Sequence, residues 1–226
     1  MALEKGDMKS MNTKLILIDG MPGSGKSTTG NWISELLSES SIAHRFYHEL
    51  DDNHPLRIYD RKFTTFTVAE EAEWFAAKVK QLFEDFVEEI TRNDDIIIME
   101  SYVFQNTIGF AYNMNMNPEQ ILDLTKTIQE MLSKLNPVLI YYYQVNVEQN
   151  WRWICKIRGP EFTQKRCGLY TDEDFVNAGQ FWTSNQDFVF DIVQKWEIPK
   201  LIIKNQDYQW EVYNKKIKEF LLELNV

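Results

Sequence analysis

The chain has 226 residues, 44% hydrophobic and 14% aromatic, with a formal net charge of −10. That length supports one well-cored globular domain, and the acidic balance excludes a general nucleic-acid binder, which needs excess positive charge for the phosphates. A small phosphorylated ligand needs only a local positive pocket and stays open.

Residues 1–12 are polar, lack the apolar core of a secretory signal and read as a disordered lead-in. Residues 13–226 then read as a single domain. No apolar run approaches a membrane span. Cys155 and Cys167 form no C-x-x-C and read as free thiols in a reducing cytoplasm, the expected location. No membrane partner is expected, and a homodimer is left open.

Lys14–Asp19 is a short apolar run, as a buried parallel strand should be. It leads into Gly20-Met21-Pro22-Gly23-Ser24-Gly25-Lys26-Ser27, the G-x-x-x-x-G-K-[ST] pattern of a phosphate-binding P-loop. Gly20, Gly23 and Gly25 let the backbone bend so that its N–H groups, with those of Ser24 and Thr28, form an anion nest at a helix N-terminus. Lys26 supplies a cation for the β- and γ-phosphates of ATP, and the Ser27 hydroxyl is placed to ligate Mg2+. The following helix shows in Trp32, Ile33, Leu36 and Leu37.

After a polar break at Ser38–Ser41, Ile42–Tyr47 reads as a second strand and His48–Pro55 as a loop. Residues 56–66 mix bases and aromatics without a period. Thr67-Val68-Ala69-Glu70 reads as a capping box ahead of a helix with Phe75, Val79, Leu82, Phe83, Phe86, Val87 and Ile90 on one face. Asp95–Glu100 is the third strand, apolar without alternation and so central. Residues 101–117 read as loop or irregular helix. Asn117-Pro118 starts another helix, which Asn136-Pro137 stops before a fourth strand, Val138–Tyr143.

Residues 147–158 read as a helix carrying Arg152, Lys156 and Arg158, broken by Gly159-Pro160. Thr171–Asp174 caps a helix with Phe175, Phe181, Phe188, Ile192 and Trp196 inward. Leu201–Ile203 is a fifth strand, and Val212, Tyr213, Ile217, Phe220 and Leu224 mark a last helix. Strands alternating with helices predict an α/β three-layer fold: a mostly parallel five-stranded sheet, helices on both faces and a small helical lid around 147–170. Ligands belong at the carboxyl ends of the strands.

No N-K-x-D or D-x-x-G signature of a GTPase is present. Asp19 to Thr28, the strand-terminal Glu100-Ser101 and the basic helix after the fourth strand resemble the P-loop kinase group, close to nucleoside and nucleotide kinases. That resemblance implies an ATP- and Mg2+-dependent transfer of the γ-phosphoryl group to a hydroxyl of a small acceptor, nucleoside-, nucleotide- or antibiotic-like. It implies that Lys26 and the backbone of Gly23 to Thr28 hold the phosphates and that Ser27 and Glu100 serve the metal. Arg152, Lys156 and Arg158 would close over the transferring group. Glu49, with Asp51 as runner-up, would take the acceptor's proton. His54, Arg57, Arg61, Tyr102, Phe104 and Gln105 are candidates for touching the acceptor.

The chain has Glu100-Ser101-Tyr102 where many nucleoside kinases carry E-R-S or D-R-[YS]. Its loop after the second strand is acidic through Glu49, Asp51 and Asp52, which points away from a monophosphate and toward a hydroxylated or cationic acceptor. The other reading is an ATP-binding regulatory or resistance module with no acceptor. A loop carboxylate opposite the P-loop, together with a basic lid, favours the enzyme.

Overall fold

The computed structural model describes residues 13–224, so the predicted lead-in of residues 1–12 lies outside the described residues. Five strands form one parallel sheet in the order β2-β3-β1-β4-β5. They are β1 (Leu15–Gly20), β2 (His44–Tyr47), β3 (Ile96–Glu100), β4 (Val138–Gln144) and β5 (Lys200–Asn205). β1, β3 and β4 are the apolar runs, and each is buried almost throughout. A strand covered on both faces has no wet side to alternate toward.

One face packs on α2 (Ala69–Thr91), α4 (Pro118–Leu132) and α6 (Asp172–Lys195), with Leu17, Met99 and Leu139 meeting Phe83, Ile128 and Val193. The other face packs on α1 (Lys26–Glu39) and α7 (Trp210–Glu223), where Ile16, Ile98 and Ile140 meet Ile33 and Ile217. This is the expected three-layer α/β architecture. In β1 the pairing register with β3 sets Ile18 beside Glu100, so the P-loop and Glu100 leave the sheet at the same edge.

Several local expectations change. Thr67–Glu70 is not a capping box: Val68 occupies the N-cap of α2 without a side-chain bond, and the Thr67 hydroxyl pairs with that of Thr65. The capping box of α6 does form, between Thr171 and Asp174. Phe181, read as inward, and Val212, read as a marker of the last helix, are 48% and 44% exposed; Leu221 fills the α7 position facing the sheet. The irregular stretch after β3 is a π-helical turn, Phe104–Gly109, continuous with a short α3, Phe110–Asn113. Among the described residues no helix is long and apolar enough to cross a membrane.

Helix α5 (Val147–Pro160) continues into a π-helical turn, Glu161–Arg166. The break read at Gly159 is visible in its backbone, φ 81° and ψ −179°. Trp151, Cys155 and Leu169 from this region bury against Met21 of the P-loop as a separate small core.

Candidate active site

The P-loop connects β1 to α1 and is clamped from two sides. Gly23 and Gly25 have φ of 75° and 106°, a region that L side chains rarely adopt. A Cβ at Gly23 would overlap Ile154 of α5, and one at Gly25 would overlap the Trp210 ring of α7. Asn205, at the end of β5, donates to the Ser24 carbonyl at 3.0 Å. The loop's shape is therefore held by α5, the last strand and the last helix together.

Lys26 is buried. Its Nζ donates to the Met21 carbonyl at 3.0 Å and to Gln105 Oε1 at 2.7 Å. Burial pushes the ammonium group's pKa down, and the nearby carboxylates of Glu49, Asp19 and Glu100 oppose that shift.

Asp19 ends the apolar run of β1 and is fully inside. Its carboxylate accepts from Gly20 N at 2.8 Å, Phe104 N at 2.8 Å and Gln105 N at 3.0 Å. It so ties the P-loop to the start of the π-helical turn. Desolvation raises its pKa from 3.8 to about 6 in spite of Lys26 and these three bonds.

Glu100 is wholly buried at the end of β3. Its Oε1 accepts from Ser27 Oγ at 3.1 Å and Glu49 N at 3.0 Å. His48 Nε2 lies 3.3 Å from the same oxygen. Its Oε2 is buried and has no hydrogen-bond partner among the described residues. An orphaned carboxylate oxygen beside the P-loop serine is the donor set that Mg2+ takes when substrate phosphates and water complete its shell. No cluster of three or more His, Cys, Asp or Glu among the described residues could hold a metal by itself.

Glu49 follows β2. Its Oε1 accepts from Gln105 Nε2 at 2.9 Å and its Oε2 from Ser101 Oγ at 3.0 Å. Asp51, the runner-up base, caps its own loop instead: Oδ2 accepts from His48 N at 2.8 Å. Ser101 stands in the left-handed region at φ 68°, strained backbone at the point where β3 leaves the sheet.

A cavity of about 630 Å3 opens beside Glu49 and Gln105, and Arg57, Arg61, Lys62, Phe63, Tyr102 and Phe110 also line it. The acidic loop is thus faced by three basic residues from the stretch that showed no period, and the expectation of an acidic acceptor site is corrected. Arg61 is tied to Glu71 and lies over the Trp74 ring, while Arg57 donates to the Asp51 carbonyl at 3.2 Å. His54 is buried beneath, stacked on Tyr102 at 3.5 Å, and burial lowers its pKa to about 4. It does not line the cavity. Phe104 is in the core.

The three basic residues expected in a lid divide. Arg152, expected at the transferring group, binds Glu148 at 2.9 Å and Asp172 at 2.7 Å and lies over Phe175, so it staples α5 to α6. Lys156 is exposed on the outer surface of α5. Arg158 is exposed, lies over the Phe162 ring and is close enough to Lys26 to depress the lysine's pKa. Residue types alone did not separate these three. Sequence reading also passed over Asp19, His48 and Lys62, although an acid closing an apolar run such as Leu15–Ile18 is a signal that could have marked Asp19.

A family model for thymidylate kinase matches residues 18–165, from the end of β1 through the turn after α5. The chain belongs to the thymidylate kinase family. It is a P-loop kinase that uses ATP and Mg2+ and transfers a phosphoryl group. Two solved structures share the fold. A thymidylate kinase from Ehrlichia chaffeensis is 13% identical over 93% of this chain and 98% of its own, with a TM-score of 0.53. One from Candida albicans is 16% identical over 95% and 94%, with a TM-score of 0.54. No curated protein sequence matches. The reading of an acceptor-free regulatory module gives way to the enzyme.

Proposed function

We propose that this thymidylate kinase family member transfers the γ-phosphoryl group of ATP to the phosphate of a nucleoside 5′-monophosphate of the thymidylate type. The carrying observation is that one cavity is lined both by Gln105, bonded to the P-loop lysine, and by Arg57 and Lys62. Arg61 is neutralised by Glu71. The charge free to meet an acceptor phosphate belongs to Arg57, whose bond is to a neutral carbonyl, and to exposed Lys62. Phe63, Phe110 and Tyr102 offer flat walls to a base, and Asn106 and Asn113 offer amides to its polar edge.

In this reading Lys26 and the backbone of Gly23 to Thr28 hold the donor phosphates, with Gly20 and Ser24 shaping the loop. Ser27 and Glu100 hold Mg2+, which neutralises charge on the β- and γ-phosphates. An oxygen of the acceptor phosphate bonds to the γ-phosphorus as its bond to the ADP oxygen breaks, giving ADP and a nucleoside diphosphate. Because the second ionisation of a phosphate monoester lies near pH 6, the acceptor is a nucleophile without a base. Glu49 then orients Gln105, and Arg158 supplies lid charge to the equatorial oxygens.

The position of Glu49 on the cavity wall supports a second reading, a hydroxyl acceptor with Glu49 as general base. One experiment separates them. The enzyme, Mg2+ and ATP are incubated with thymidine monophosphate, other nucleoside monophosphates and free nucleosides, and products are read by 31P NMR. Conversion of the acceptor's monoester signal into a nucleoside diphosphate distinct from ADP supports the monophosphate reading. A new monoester, together with a loss of about 10²–10⁴ in rate on Glu49→Gln, supports the hydroxyl reading and overturns the first.

A further inference from the structure

Between the phosphate-binding lysine and the acceptor cavity stands one side chain, Gln105. Its Oε1 accepts from Lys26 Nζ at 2.7 Å, and its Nε2 donates to Glu49 Oε1 and to Asn106 Oδ1, each at 2.9 Å. The amide's orientation follows from its partners: an ammonium only donates, and a carboxylate only accepts. The backbone is fixed as well, since Gln105 N donates to buried Asp19 at 3.0 Å. A neutral amide thus separates Lys26 from Glu49, two opposite charges that interact electrostatically.

Gln105 bonds the P-loop lysine on one side and lines the cavity with Glu49 on the other, so its amide lies between the lysine and the cavity. We infer that Gln105 is a further catalytic residue, whose Nε2 donates to the transferring phosphoryl group in place of its bond to Glu49. The contact grows as the group moves away from Lys26, so it strengthens from ground state to transition state and acts on kcat rather than on ATP binding. The inference rests on the kinase reading but not on the identity of the acceptor.

The test is Gln105→Met, close in length and without hydrogen bonds. Losing one transition-state donor should lower kcat about 10²-fold with the KM for ATP within about 3-fold. Affinity for the unreactive analogue AMP-PNP should stay at the wild-type value. Affinity for ADP with aluminium fluoride and Mg2+, a mimic of the transferring group, should fall with kcat. If Gln105→Met melts early, Gln105→Asn keeps the amide but falls short by one carbon, and the same loss is expected. Unchanged kcat, or an equal loss of affinity for AMP-PNP and for the aluminium fluoride complex, overturns the assignment. The aluminium fluoride measurement needs no monophosphate, so it stands apart from a failure of the acceptor reading.

Discussion

The two sides of the nucleotide edge are built in opposite ways. At the ends of β1 and β3, Asp19, Lys26 and Glu100 are buried and bonded to loop backbone or to neighbouring side chains before any ligand arrives. On α5, Arg152 is committed to α6, and Arg158 is exposed over Phe162. The first side is preorganised, so its charges do their work without rearrangement. The second is a surface on which one base is held by a neighbouring helix and the other is open to solvent. The lesson is that a basic helix after the fourth strand is not uniformly a lid. Its neighbours decide which base is free.

If that contrast holds, substitutions on the two sides separate by size. The largest effect is expected at Lys26→Ala, which should reduce turnover by about 10³ or more with the melting temperature near wild type, since a catalytic cation aimed at the phosphates is lost. Steady-state kinetics with a thermal scan check this; an active variant would remove the lysine from the site.

Next comes Asp19. Its pKa of about 6 against 3.8 means that the folded state holds the proton more tightly than the unfolded chain does. Stability therefore falls as pH rises from about 4 to about 6 and is level above, a total of about 3 kcal/mol for this buried group. Urea unfolding of the wild type and Asp19→Asn across that range should show their difference shifting against the wild type as pH rises. A pH-independent difference would mean that Asp19 is not perturbed.

Glu100→Gln should follow, with turnover down about 10²-fold and the Mg2+ requirement raised. ATP should still bind, and a Mg2+ titration of both rate and thermal shift reads the two apart. An unchanged titration would reduce Glu100 to a strand-end acid. The smallest pair tests the lid. Arg158→Ala should slow turnover about tenfold, or about 1.4 kcal/mol, whereas Arg152→Ala should leave kcat unchanged. The reverse order would place Arg152, not Arg158, over the phosphates.

The sheet and the phosphate site were legible because both are written locally. Ile96–Met99 and Leu15–Ile18 are unbroken apolar runs, and the P-loop's glycines, lysine and serine are adjacent in the chain. The acceptor side was not. Arg57, Lys62 and Phe63 carry no period, and they become a cavity wall only when the 56–66 segment folds over α2 and meets Phe110 from beyond β3. The acidity of Glu49, Asp51 and Asp52 was visible, but Asp51 is spent on a turn and Glu49 on Gln105 and Ser101. The double duty of Asp19 joins residues far apart in sequence, which no local pattern shows.

The most direct measurement of the central claim is the acceptor dependence of ADP formation, with thymidine monophosphate as acceptor and Arg57→Ala and Lys62→Ala as variants. The account predicts ADP and nucleoside diphosphate in equal amounts. It also predicts a raised KM for the monophosphate in both variants and an unchanged KM for ATP. ADP formed at the same rate with and without a monophosphate, or variants whose monophosphate KM does not move, would contradict it.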